Sequence, residues 1–118
     1  MRPHTVIAAI ATMTIGIASA SHFAAAATVQ QDPAGKAPYE ENCRKCHGVI
    51  GTPPKAMQAK FPKIATFNAA FFATHSADSV VTILTKGKNA DMKSFKDILS
   101  HAQMVAVAAY IRTFGTKK

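Results

Sequence analysis

Near the end of the chain Met104, Val107, Ala108, Ile111 and Phe114 recur at intervals of three or four residues or directly adjoin one another. This is the period that puts side chains on one face of an α-helix. Ser100-His101-Ala102-Gln103 in front of them has the form of a capping box, and Gly115 stands where a helix is expected to close. Two shorter helical patterns precede it. One runs from Asn68 to Thr74 and carries Phe71 and Phe72; the other runs through Val80, Val81, Ile83 and Leu84, capped by Ser76 or Asp78 and ended by Gly87. Asp32-Pro33 resembles a cap followed by proline at the first helical position, opening a polar helical stretch through Tyr39 to Cys46. Pro38 falls inside that stretch, where it removes one backbone bond and is expected to kink or delay the helix. Gly48 to Pro62, with Gly51, Pro53 and Pro54, is expected to be a loop, as is Lys88 to Leu99. No strand alternation or internal repeat is visible. The expected fold is all-α, with about three to five helices.

The first 27 residues follow a different pattern. Met1 to His4 is short and positive, Val6 to Ala20 is an apolar run of 15 residues, and small residues gather at Ala18–Ala20 and Ala24–Ala27. That is the order of a secretory signal, and the run is short for a membrane span. Cleavage is expected after Ala27, with Ala20 the second choice; an uncleaved anchor is the alternative. The domain would then be residues 28–118, lying in the periplasm or a thylakoid lumen, with no stable membrane insertion after cleavage.

Size and charge narrow the function. Of 118 residues, 91 remain after the first 27, and the net charge of +8 becomes +7 when Arg2 is lost. Domains this small bury only roughly 60–65% of the surface their unfolded chain exposes, and many need a staple or a cofactor at the centre. A barrel enzyme, a two-domain dehydrogenase and most folds with a deep substrate cleft are excluded. The positive charge lacks the aromatic clustering or recognisable module that nucleic-acid binding requires.

The chemistry is concentrated in Cys43-Arg44-Lys45-Cys46-His47. On a helix, positions 43, 46 and 47 share one face, so two thiols and an imidazole converge on one object. A c-type haem needs that arrangement: each cysteine adds across a vinyl group as a thioether, and the adjacent histidine is carried beneath the iron. Three other chemistries use a pair of cysteines at this spacing. A thioredoxin-type pair belongs in a βαβ setting, and no strands are visible. A structural zinc site needs four ligands, and no second Cys/His pair stands at suitable spacing. A plain disulfide leaves His47 without a reason.

Taken together, these features make the mature chain similar to the class I monohaem c-type cytochromes, small soluble proteins of the bacterial and photosynthetic type. Gly35 and Tyr39 precede Cys43 by eight and four residues, the spacing of the family's small and aromatic contacts on its first helix. Tyr110 sits where the family's last helix crosses the first against that glycine. Thr85 to Phe95 resembles the family's glycine-containing approach to a methionine ligand, usually Met-Pro-x-Phe. Here Lys93 replaces the proline and Asp91 is an extra residue.

The resemblance implies one covalent haem c attached at Cys43 and Cys46, with His47 and Met92 as axial iron ligands. It also implies Pro62, in Pro62-Lys63-Ile64, as the carbonyl that receives the other nitrogen of His47, with Ile64 over the haem. Tyr39, Phe95, Leu84, Phe67 and Phe71 would surround the haem. Met57 and Met104 read as fillers of core gaps, and His75 and His101 as surface or cap-adjacent histidines.

The function implied is single-electron transfer by a monomeric carrier, not an enzyme. Its partners would be proteins with acidic docking surfaces: an oxidase, reductase, reaction centre or dehydrogenase. Lys45, Lys55, Lys60, Lys63, Lys86, Lys88, Lys93 and Lys96 would steer those encounters. A haem subunit of a larger oxidoreductase, or a gas-binding haem protein with a labile sixth ligand, are the alternatives.

Overall fold

The computed structural model describes residues 33–116. The signal-like segment 1–27, the Asp32 cap and the terminal lysines lie outside the described residues. Six helical segments follow one another: α1 (Pro33–Asn42), α2 (Arg44–His47), α3 (Lys55–Lys60), α4 (Ala69–Thr74), α5 (Ala77–Lys86) and α6 (His101–Gly115). The described residues form no strand, so the all-α expectation holds. There are six segments rather than three to five because α2 resumes the path of α1 after a break at Cys43, and because α3 occupies part of an expected loop.

Local signals account for the starts of α4, α5 and α6. Asn68 Oδ1 accepts the Phe71 N–H at 2.9 Å to open α4. Ser76, not Asp78, caps α5, its Oγ accepting the Ser79 N–H at 3.1 Å. At α6 both halves of the capping box form: Ser100 Oγ accepts the Gln103 N–H, and Gln103 Oε1 accepts the Ser100 N–H at 2.8 Å.

Three expectations about secondary structure are corrected. Gly48 to Pro62 is not loop throughout. Pro54 takes an extended ψ of 149° and leads directly into α3, whose Lys-Ala-Met-Gln-Ala-Lys sequence consists of strong helix formers. With only Met57 half-buried, α3 has no apolar stripe to reveal it. Pro38 neither delays nor ends α1, which runs through it from Pro33 to Asn42. Gly115 does not close α6 but belongs to its last turn, with Thr116 beyond it in right-handed conformation. A Cβ at Gly115 would lie 2.7 Å from Phe72 Cδ2, so this glycine admits the α4 ring against α6.

The core is built on α6. Met104, Val107, Ala108, Ile111 and Phe114 are all buried, and Tyr39 from α1 and Leu84 from α5 close over them. Tyr39, Tyr110 and Phe114 make a three-ring cluster with centroids 5.1–5.5 Å apart and tilted or edge-on planes, favourable beyond their burial. The α1–α6 crossing is close. A Cβ on Gly35 would fall 2.0 Å from the Ala106 carbonyl oxygen and 2.6 Å from Tyr110 Cβ, which places Gly35 against Tyr110 as the family resemblance implies. Both neighbours are too near the backbone to swing away. Gly35→Ala is therefore expected to destabilise the protein by about 1–3 kcal/mol, despite alanine's better helix propensity. Thermal unfolding of the haem-bearing protein reads this; an unchanged midpoint would mean the crossing is looser than described.

Candidate cofactor site

Cys43 stands at the break between α1 and α2. Its N–H donates to the Tyr39 carbonyl at 2.8 Å, which ends the first helix; its own carbonyl then accepts from Cys46 N–H at 3.1 Å and His47 N–H at 2.9 Å. That shared carbonyl winds residues 43–47 into a single turn and keeps Cys43, Cys46 and His47 on neighbouring positions. Gly48, with φ 79°, then turns the chain away. Tyr39 Oη donates to the Gly48 carbonyl at 2.6 Å, so the turn is tied back to α1.

Burial sets the protonation of the site. Cys43 is buried and Cys46 half-buried, and neither is in a disulfide. Burial, with Cys46 adding to it, pushes the Cys43 thiol up to about 11. This is the reverse of a reactive redox pair, whose attacking thiol is shifted down. Burial lowers the His47 pKa, with the hydrogen bond to Ala65 acting in the opposite direction, so a neutral imidazole is favoured. His47 Nδ1 lies 3.2 Å from the Ala65 carbonyl oxygen. A carbonyl can only accept, so Nδ1 carries the proton and Nε2 keeps the free lone pair. The His47 ring also stacks on Phe67, with centroids 4.6 Å apart and planes at 18°.

A cavity that opens to solvent lies beside these residues. Tyr39, Cys43 and His47 line it from the N-terminal helices, Phe67 and Phe71 from the middle of the chain, and Leu84 from α5. Met92 lines it too, whereas Met57 and Met104 do not. Met104 is instead buried in the core, where its sulfur lies 3.6 Å from Thr85 Oγ1. His75 stacks on Phe71, with centroids 4.1 Å apart, and His101 is exposed; neither lines the cavity.

Three expected contacts are placed elsewhere. Pro62 is exposed and does not hold His47: a turn in which Ile64 N–H donates to the Phe61 carbonyl leaves Pro62 on its outside and carries Ala65 to the imidazole. Ile64 is half-buried but is not part of the cavity wall. Phe95 is half-buried against the core, also off the wall, because its N–H is drawn to the Leu84 carbonyl at 2.8 Å. Residues read only as core or surface do reach the wall: Val80 and Ile83 of α5, Val107 and Ile111 of α6, and Lys88. Their helical spacing marked the apolar ones as buried, but nothing local separates packing against a helix from facing a cavity. Ala65 carries no sequence signal at all, since its contribution is a backbone oxygen.

The donor set and the cavity fit a covalently attached haem. Cys43, an imidazole with a free nitrogen and the Met92 thioether line a space whose other walls are almost wholly apolar, and Cys46, half-buried one helical turn from Cys43, supplies a second thiol from beside it. Among the described residues no group of three or more His, Cys, Asp or Glu side chains is arranged to hold a metal ion directly.

Comparison with known proteins agrees with this chemistry. A family model described as cytochrome c oxidase, cbb3-type, subunit III matches residues 30–111. A solved structure described as the KustC0563 c-type cytochrome superposes with a TM-score of 0.62 and 25% sequence identity, covering 70% of this chain and 98% of that one. No curated protein matches the sequence.

Proposed function

The chain belongs to the c-type cytochromes, which carry covalently bound haem c and transfer electrons, and on that premise we propose that it is an exported, monomeric single-electron carrier with His47 and Met92 as axial ligands. One observation carries the ligand assignment: of Met57, Met92 and Met104, Met92 alone lines the cavity that Cys43 and His47 also line. Bound there, haem supplies a one-electron iron couple. Cys43 and Cys46 would hold it through thioether links, the addition of each S–H across a vinyl group leaving sulfur on one carbon and hydrogen on the other. His47 presents Nε2 while Ala65 holds Nδ1–H. Phe67, Phe71, Leu84 and Ile111 exclude water, which limits reorganisation when the charge on the site changes. With His47 and Met92 both holding the iron, no position would be left on it for a substrate.

The lysines support the docking proposal. All eight named above are exposed, and among the described residues the one ion pair is Lys36–Glu40 at 3.9 Å, which involves none of them. Electron transfer to an acidic partner is expected to slow as salt rises, because the Debye length shrinks from about 30 Å at 0.01 M to about 8 Å at 0.15 M. Lys63→Glu with Lys96→Glu, both exposed and away from the cavity wall, is expected to lower the association rate about tenfold at low salt and leave the haem spectrum unchanged. Stopped-flow mixing with an acidic redox protein measures it; rates indifferent to salt and to both substitutions would overturn the docking proposal.

The matched family's description names an oxidase subunit, which favours a second reading as a haem subunit of a larger complex. Gel filtration of native periplasmic extract separates the two. A carrier elutes near the mass of one chain, a subunit with a stoichiometric partner.

A further inference from the structure

Met92 lies in a stretch with no helix, between Gly87 and the turn before α6, yet its backbone is held at both polar groups. The Met92 N–H donates to Asn89 Oδ1 at 2.9 Å, and the same oxygen accepts the Asp91 N–H at 3.0 Å. The Met92 carbonyl accepts the Lys88 N–H at 2.8 Å. Gly87 allows this by taking φ 76°; a Cβ there would sit 3.0 Å from the Met92 oxygen and 2.7 Å from the Ser94 nitrogen. Downstream, Ser94 Oγ donates to the Thr85 carbonyl at 2.6 Å and Phe95 N–H to the Leu84 carbonyl at 2.8 Å. The loop is thus fastened to the end of α5 after Met92. Before it, the only side chain bonded to the Met92 backbone is that of Asn89.

Asn89 is exposed and adds nothing to the core. Its oxygen does one thing: it gathers two successive N–H groups, as a short polar side chain does when it closes a local turn. The second of those groups belongs to the residue whose thioether faces the cavity. Lys93 follows Met92 where a proline would restrict the preceding backbone, so the restriction has to come from another direction, and the Asn89 side chain provides it.

We propose that Asn89 is a positioning residue for the sixth iron ligand, its side-chain oxygen holding the Met92 backbone so that the thioether stays on the iron in competition with external ligands. The proposal rests on Met92 being that ligand, and the experiment separates the two. Ferric haem-bearing protein is titrated with imidazole as the competing ligand, following the weak far-red band of thioether–iron bonding. Five proteins are compared: wild type, Asn89→Ala, Asn89→Asp, Met92→Ala and the double variant that carries Asn89→Ala in the Met92→Ala background.

The expected result has three parts. Asn89→Ala raises the imidazole affinity roughly three- to tenfold, the order set by losing one net hydrogen bond. Asn89→Asp, which keeps an acceptor oxygen at the same place, stays near wild type. In the Met92→Ala background the Asn89 substitution has no further effect, because nothing remains to be positioned. An Asn89→Ala protein with wild-type affinity, or an effect that persists without Met92, would overturn the positioning role while leaving the ligand assignment intact. A Met92→Ala protein that keeps the far-red band and the wild-type affinity would overturn the ligand assignment and this proposal with it.

Discussion

Replacing Cys43 and Cys46 together by serine is expected to abolish recovery of stable haem-bearing protein. A hydroxyl does not add to a vinyl group as a thiol does, so both covalent links are lost. The consequence reaches beyond attachment because of where the site lies. The cavity is walled by Tyr39, Leu84, Val107 and Ile111, which are also the centre of the folded core. In larger proteins an unfilled space of this kind is tolerated at a cost that rises with its volume. Here the whole mature domain is about 91 residues by the expected cleavage, and small domains have little stability to spare.

The single variants are expected to differ. Cys43→Ser leaves a hydroxyl in a buried position and loses one link, whereas Cys46→Ser changes a half-buried site. Cys46→Ser should therefore retain more holoprotein. The measurement is mass spectrometry of exported protein after acid–organic extraction: wild type keeps the mass of one haem, and the double variant gives no such species. Haem extractable from wild type, or covalently retained by the double variant, would contradict the assignment of Cys43 and Cys46 as the attachment points.

The second large effect belongs to Met92. Wild type is expected to be low-spin in the ferric state, with the far-red thioether band and little uptake of carbon monoxide when reduced. Met92→Ala should remove the band, open the iron to carbon monoxide and lower the reduction potential, since a thioether favours ferrous iron. Axial ligation sets haem potentials over roughly 0.8 V, so the fall should be a readily measured part of that range. Met92 is 45 residues beyond His47, the chain reaches the cavity again after the left-handed turn at Gly87, and Met104 is already committed to the core beside Thr85. Met57→Ala and Met104→Ala are expected to keep the band, the latter with reduced stability because Met104 is buried. A wild-type protein that is already high-spin and takes up carbon monoxide readily would replace the carrier reading with that of a gas-binding haem protein.

Much of this architecture was legible in the sequence wherever a signal and its consequence lie within about one helical turn. The Ser100–Gln103 box, the cap at Ser76, read as Ser76 or Asp78, and the turn at Gly87 are such features, since donor and acceptor are at most a few residues apart. Cys43, Cys46 and His47 belong with them: one turn of helix brings them together whatever the rest of the chain does, so the cofactor chemistry follows from five consecutive residues.

Other features were settled only by tertiary packing. The family resemblance implied Pro62 as the partner of His47, but an acceptor carbonyl exists at every residue. The turn at Phe61–Ile64 decides which one arrives, and it delivers Ala65, 18 residues from the imidazole. Gly115 reads as a helix stop, yet it is small because the Phe72 ring lies against it. Phe95 and Val107 are both apolar in the sequence, and only packing puts Val107 of the core on the cavity wall while leaving Phe95 half-buried and off it. The physical reason is common to all three. Hydrogen-bonding groups and apolar surface are available almost everywhere along a chain, so which partners meet depends on how distant segments pack, and that is a property of the whole fold and not of any neighbourhood in the sequence.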